Sequence, residues 1–282
     1  MLVNLKTILK YAAEQERAIG AFNVYNLESI LAVAQASQEL NQPVILSFGE
    51  GYLSHAPIEV IATIVRKICA PSDIPVVLHL DHAKEFSTVM RAIRCGFTSV
   101  MYDGSYLPLE QNIANTKKIV EIAHAVGVSV EGELGYMNNE DGSCEPGFEM
   151  EKGYTSVSAA VQYANGTGID ALAVAIGNAH GIYKGIPELD FDRLGEISAA
   201  ISVPVVLHGC SGIPDAAIKK AVSLGVRKIN VNTEISTGAV RAAREFLVDH
   251  TEKNTRFETM LKASRQTMFE TVKNYINMLG EK

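Results

Sequence analysis

The sequence predicts an α/β protein, a (β/α)8 barrel of the TIM-barrel kind with an additional helical segment at its C-terminal end. Three observations carry this reading. Short apolar runs rich in β-branched residues alternate with longer segments of helical spacing from one end of the chain to the other. The length of 282 residues lies near the roughly 250 typical of such barrels. An open doubly wound sheet would place a Gly-x-Gly-x-x-Gly turn after its first strand, and Asn23-Val24-Tyr25-Asn26 has none.

The strands are read in order as Ala21 to Val24, Val44 to Phe48, Val76 to Asp81, Ser99 to Asp103, Val128 to Leu134, Ala171 to Ile176, Val205 to His208 and Lys228 to Val231. Pro43, Pro75 and Pro204 introduce three of them, which suits a strand start because proline cannot donate to the ladder. Gly96, Gly127, Gly168 and Gly225 stand where a helix ends before the next strand. Helical spacing is plain over Leu27 to Leu40, Ile58 to Cys69, Glu110 to His124 and Asp215 to Leu224. The whole of 1–282 reads as one barrel domain. A polar, glycine-containing stretch over 136–154 is expected to be a mobile loop at the active site, and the helical tail over 256–279 an oligomer or capping element.

Composition narrows the function. With 47% hydrophobic and 20% charged residues the chain can bury a large core, and its net charge of −7, with no basic run, speaks against nucleic acid and anionic membranes. No apolar stretch approaches the roughly 20 residues that span a bilayer, and the first residues lack a signal-peptide pattern. A soluble cytoplasmic protein is expected. Cys69, Cys95, Cys144 and Cys210 are far apart and read as unpaired thiols of a reducing compartment.

A barrel does its chemistry at the C-terminal ends of its strands, and ionisable residues concentrate there. Asp81-His82 follow strand three, Asp103 ends strand four, Glu131 and Glu133 lie on strand five, Asn178-Ala179-His180-Gly181 follow strand six, and His208-Gly209 end strand seven. His82, His180 and His208 therefore converge on one mouth, and three imidazoles with an open position suit catalytic Zn²⁺. Any one of them would be equally well explained by a hydrogen bond to a backbone carbonyl; three beside a carboxylate are not. His55, His124 and His250 read as surface or packing residues, and His79 as a structural hydrogen-bonding group. Gly209-Cys210-Ser211-Gly212, just before a helix, and Asn230-Val231-Asn232-Thr233 together offer N–H groups, hydroxyls and a helix N-terminus where barrels bind phosphate. Cys210 reads as a packing residue of that turn.

These residues carry a resemblance to the class II, zinc-dependent ketose-bisphosphate aldolases, the group containing fructose- and tagatose-bisphosphate aldolases. It runs from about Leu5 to Leu279 and rests on Gly20-Ala21-Phe22-Asn23-Val24, Leu78-His79-Leu80-Asp81-His82, Gly132-Glu133-Leu134-Gly135, Asn178 to Gly185, Val206 to Pro214 and Lys228 to Glu234. The resemblance implies reversible aldol cleavage of a ketose 1,6-bisphosphate to dihydroxyacetone phosphate and an aldehyde such as glyceraldehyde 3-phosphate. His82, His180 and His208 would be the zinc ligands and Asp81 the acid/base at the aldol oxygen. A loop glutamate, matched by Glu140 with Asp141 and Glu145 as alternatives, would exchange the proton at the enediolate carbon. Asp103 and Glu133 match a second or alternate divalent-metal position, or else hydrogen-bond around the first. Asn23, Gly181, Lys184, Gly209, Cys210, Ser211, Asn230, Val231, Asn232 and Thr233 would hold the substrate, with a monovalent cation, Na⁺ or K⁺, beside its phosphate. Arg256 matches an arginine that reaches a neighbouring subunit's site in a homodimer or homotetramer.

One departure bears on the substrate. The bisphosphate enzymes carry a serine after strand two, near the far end of the sugar, and here Ser47-Phe48-Gly49-Glu50-Gly51 has glycine there. An aldolase for a ketose 1-phosphate is therefore the alternative. A Schiff-base aldolase would need a desolvated lysine inside the barrel, and Lys228 is expected to open strand eight at its N-terminal end, away from the mouth. A metal-dependent hydrolase would carry His-x-His on strand one, which Phe22-Asn23-Val24 lacks. A non-catalytic sugar-phosphate-binding barrel would have no need to keep Asp81 and three histidines.

Overall fold

The computed structural model describes residues 1–135, 153–183, 185–250 and 255–280. Eight parallel strands pair in sequence order and close on themselves, β8 (Val226–Val231) bonding to β1 (Ile19–Asn23). Between them lie β2 (Val44–Gly49), β3 (Val76–Ala83), β4 (Ser99–Tyr102), β5 (Ser129–Leu134), β6 (Ala171–Val174) and β7 (Val205–Leu207). The helices of the outer ring are α2 (Leu27–Leu40), α3 (Ile58–Cys69), α4 (Phe86–Cys95), α5 (Leu109–Ala125), α6 (Val157–Thr167), α7 (Phe191–Ala200), α8 (Asp215–Ser223) and α9 (Thr233–Asp249). This is the expected barrel, with strand ends shifted by up to two residues. Among the described residues, no helix is long and apolar enough to cross a membrane.

The period of two decides what faces the axis. On β3, Leu78 and Leu80 pack outward against the helices while Val77 packs inward, which sends His79 and Asp81 into the barrel. The same parity turns Asn23 of β1, Glu131 and Glu133 of β5, and Lys228 and Asn230 of β8 inward, since Phe22, Val130, Ile229 and Val231 belong to the outer layer. Small inward residues, Ala21, Ala171 and Ala173, with Ile19, Ile45, Val77 and Val206, fill the lower barrel.

That lower core is sealed by an element the sequence reading did not include, α1 (Leu5–Glu14). Asn4 caps it by accepting from the Thr7 N–H at 3.0 Å, and Leu5, Ile8, Leu9 and Ala12 present one buried stripe to the inward strand residues. The tail is α10 (Phe257–Gly280). It packs on α9, α2 and β1, burying Met268, Phe269, Val272, Tyr275 and Ile276. The Tyr275 hydroxyl donates to Glu234 at 2.7 Å, tying the tail to the start of α9.

Candidate active site and metal centre

Strand parity alone would set Asp81 and His82 on opposite faces. The backbone instead turns at His82, which adopts φ 48°, and the β3–β4 register shifts between Leu80 and Ala83. A left-handed conformation is uncommon for a residue with a side chain and is typical of a functional site. Its effect is to bring both neighbouring side chains to one mouth.

His180 arrives on the loop after β6, and that loop is fastened to the end of β7. Asn178 Nδ2 donates to the His208 carbonyl at 3.1 Å, while the Tyr183 hydroxyl accepts from the Ala179 N–H and donates to the Gly209 carbonyl, both at 2.8 Å. Gly209, at φ 65°, passes so close to this loop that a Cβ would lie 2.1 Å from the Ala179 oxygen. Only glycine fits there.

The ligand atoms of His82, His180 and His208 lie within 4.8 Å of one another, and those of His82, Asp103 and Glu133 form a second such group. Carboxylates select which imidazole nitrogens point inward. Asp103 lies 3.1 Å from His82 Nδ1, and Glu131 lies 2.8 Å from His208 Nε2. Because an ionised carboxylate only accepts, these nitrogens carry hydrogen, and His82 Nε2 and His208 Nδ1 are left facing each other at 2.9 Å. Asn230 Nδ2 also lies 3.3 Å from His208 Nδ1, and the two facing imidazole lone pairs favour a cation between them or a proton on one.

The electrostatics agree. Burial would lower His82, but the Asp81, Glu133 and Asp103 carboxylates outweigh it and push the group up to about 10. Burial together with the neighbouring imidazoles holds His180 down to about 3, and burial is the leading cause that lowers His208. Asp103 stays well below the usual carboxylate range despite its burial, because His82 and Ser105 donate to it, whereas burial and the charge of Asp103 push Glu133 well up. His180 and His208 therefore stay neutral and keep lone pairs for a metal ion, and the carboxylates that hold a proton on His82 would equally favour a cation in its place.

Asp81 is 2% exposed and accepts from Asn23 Nδ2 at 3.0 Å and Asn230 Nδ2 at 3.2 Å. Despite burial its carboxyl lies well below the ordinary value, held there by His82, His208 and Lys228. The turn after β7 and the start of α9 meet as expected: the Glu234 N–H donates to Ser211 Oγ at 3.2 Å, and the Cys210 N–H to the Asn230 carbonyl at 3.1 Å. Asn232 donates to the Tyr52 hydroxyl at 3.0 Å, and its buried Oδ1 has no partner among the described residues. Gly181 follows His180 at φ 102°, and Thr233 opens α9 beside Asn232.

The structure places the other predicted residues and corrects the expected position of Lys228. The Cys210 N–H donates to the Asn230 carbonyl at 3.1 Å and its buried thiol to the Leu207 carbonyl at 3.2 Å. The side chain of Val231 belongs to the outer core, so only its backbone belongs to the site. Lys228 does not lie away from the site: β8 begins two residues earlier, and the ammonium is buried in the barrel against Glu131 and Asn230. Arg256 lies exposed at the start of α10 with Glu258 at 3.8 Å, outside the cluster. Glu140, its alternatives Asp141 and Glu145, Lys184 and Cys144 lie outside the described residues. Cys69, Cys95 and Cys210 are unpaired, as expected. His79 bonds Ser99 at 2.8 Å, and His124 bonds Asp170 at 2.8 Å on the far side of the sheet from the mouth. The sequence reading gave no role to Glu131, Asn178 or Tyr183; for Glu131 the signal was its period-two spacing from Glu133 on an otherwise apolar strand.

Comparison with known proteins follows the same residues. A family model described as fructose-bisphosphate aldolase class-II matches residues 3–282. A fructose-bisphosphate aldolase of Staphylococcus aureus strain Mu50 is 41% identical over 99% of this chain and 97% of its own. A sulfofructosephosphate aldolase of Alkalicoccus urumqiensis is 34% identical over 98% of this chain and 95% of its own. The crystal structure of the YdjI aldolase of Escherichia coli K12 superposes with a TM-score of 0.88 at 35% identity, covering 99% and 98% of the two chains. A closed eight-stranded barrel with histidines and carboxylates gathered at its mouth, matched end to end by aldolases, makes this chain a lyase of the class II fructose-bisphosphate aldolase family.

Proposed function

We propose that this protein reversibly cleaves a ketose 1,6-bisphosphate of the fructose or tagatose type to dihydroxyacetone phosphate and an aldehyde such as glyceraldehyde 3-phosphate. The observation that carries it is the convergence of His82, His180 and His208 within 4.8 Å, beside an Asp81 held by two asparagines. His82 through Nε2, His208 through Nδ1, and His180 would hold a zinc ion, which when bound supplies Lewis-acid stabilisation of negative charge on the ketone oxygen. Asp103 and Glu133, beside His82, would form a second or alternate divalent position.

Asp81 accepts the C4 hydroxyl proton as the C3–C4 bond breaks and the bonding pair passes to the three-carbon fragment; in condensation it returns that proton to the aldehyde oxygen. Its low proton affinity keeps it ionised and ready to accept. Glu140, in the segment of sequence after β5, would deliver the proton to C3. Gly181, Lys184, the Gly209 to Ser211 turn and the Asn230 to Thr233 stretch would hold the C1 phosphate, with a monovalent cation beside it, and the N-terminus of α9 favours an anion there. The chain acts as one barrel domain in a cytoplasmic homo-oligomer, with Arg256 reaching a neighbouring site.

A second reading, a ketose 1-phosphate substrate, is favoured by Gly49. Where the bisphosphate enzymes carry a hydroxyl, a Cβ on Gly49 would come within 3.3 Å of the Tyr52 ring, a tight contact. A relative in the family is named for sulfofructosephosphate, a different sugar phosphate.

The test is a panel of ketose 1,6-bisphosphates and ketose 1-phosphates, with triose-phosphate release coupled to a dehydrogenase. Chelator should abolish cleavage and zinc restore it, and borohydride should trap no adduct. Inactivation by borohydride in the presence of substrate would replace this mechanism with a lysine Schiff base.

A further inference from the structure

The least expected group inside the barrel is Lys228. Its side chain is fully buried, and lysine is almost never buried completely unless paired. It reaches in two directions. Nζ lies 3.0 and 2.9 Å from the two oxygens of Glu131, and 2.7 Å from Asn230 Oδ1. Glu131 continues to His208, and Asn230 continues to Asp81, with its amide nitrogen also 3.3 Å from His208 Nδ1. Glu131 Oε1 is 2.8 Å from His208 Nε2, and Asn230 Nδ2 is 3.2 Å from Asp81 Oδ1.

We propose that Lys228 is a positioning residue serving both halves of the reaction, orienting through Glu131 the His208 ring that offers Nδ1 to the metal, and through Asn230 the carboxylate of Asp81. The inference deepens the zinc-aldolase reading and rests on it.

Donor and acceptor inventories support the two arms. An ammonium has only donors, so the Asn230 group facing it must be the carbonyl oxygen, and the amide NH₂ is thereby sent to Asp81. Reversed, Asn230 would set its oxygen against the Asp81 carboxylate, two acceptors with no hydrogen between them. On the other arm the ammonium spans both Glu131 oxygens and pins the carboxylate, whose Oε1 then takes the His208 Nε2–H. The other groups near this pair cannot replace the lysine. His79 Nε2 is 3.7 Å from Glu131 and 3.9 Å from Asp81, beyond hydrogen-bonding distance, and its Nδ1 is engaged by Ser99.

A lysine that merely balanced the charge of Glu131 would explain the first contact and leave the second without purpose. The experiment separates these roles. Lys228→Met should weaken zinc binding by a factor of about 10 to 100, the usual effect of removing a group that orients a metal ligand, measured by competition with a chromogenic chelator. It should also shift the visible bands of the cobalt-substituted protein. At saturating zinc its kcat should still fall, with KM little changed, because the Asp81 arm is loosened as well. The double variant Lys228→Met/Glu131→Gln removes both charges; positioning predicts that it stays defective, since a side-chain amide can turn either end to His208 and Asn230 remains unpinned.

An unchanged zinc affinity and cobalt spectrum in Lys228→Met, or recovery of both in the double variant, would overturn the proposal and leave lysine as charge balance. Should the methionine variant fail to fold, Lys228→Gln, which can satisfy one arm but not both, is read in the same way. Wild-type protein that binds no zinc would instead overturn the underlying aldolase reading, and the proposal with it.

Discussion

Asp81 and His82 are adjacent in sequence and act on the same volume, which no regular strand allows. The left-handed backbone at His82 resolves the conflict, and the asparagines on either side of Asp81 hold its carboxylate against rotation. Replacing Asp81 with alanine should lower turnover by a factor on the order of 10² or more, while zinc measured by elemental analysis stays near the wild-type content; near-normal turnover would remove Asp81 from its role. His79 provides a test in the metal-free protein. Burial, with the charge of Lys228 adding to it, lowers its folded value to about 3 from 6.5. Between those values only the unfolded chain binds the proton, so stability falls as pH falls from 6.5 toward about 3, by about 1.4 kcal/mol per pH unit from this group. Urea unfolding of chelator-treated protein between pH 7 and pH 5 should show that loss together with those of His180 and His208, and His79→Asn should reduce the slope; an unaltered slope would show that His79 does not contribute.

At the level of elements, the two helices outside the repeated units do different work. α1 closes the lower barrel with four buried apolar side chains, and Leu9 is fully buried among inward strand residues. Leu9→Ala should cost about 2–5 kcal/mol, read as a lower denaturant midpoint. Because the contact lies at the end of the barrel opposite the mouth, KM should be unchanged. The loop after β6 is a different case, since it depends on a glycine of another element. Gly209→Ala would press a methyl into the Ala179 carbonyl and strain a positive φ. The His180 loop must then move, so zinc affinity should fall by a factor of at least about 10, measured by chelator competition. An alanine variant with wild-type zinc affinity would show that the loop position does not matter.

At the scale of the molecule, the cluster links metal binding to folding. Three imidazoles from three strand ends converge only when the barrel is closed, so an ion bound by all three favours the folded state. Zinc at 100 times its dissociation constant should add about 2.7 kcal/mol, and for a chain of this size each kcal/mol moves Tm by about 2–4 °C. Calorimetry should therefore show a rise of several degrees on adding zinc to chelator-treated protein and its reversal by chelator. No change in Tm would mean that the ion does not bind at the three strands.

The alternation of strand runs and helical segments, and the histidines at three strand ends, were legible in the residues because period and punctuation are local. α2 and α3 have the bounds their spacing predicts, and the polar residues fall where a barrel's mouth must be. The N-terminal helix was overlooked because its amphipathic stripe has meaning only once there is an open barrel end to cover. Distances across the barrel were the other blind spot. Glu131 and Lys228 lie 97 positions apart, so no spacing in the chain marks them as partners. Local propensity and side-chain periodicity are written along the chain, but the pairing of one buried polar atom with another depends on strand register and barrel closure, and these form together.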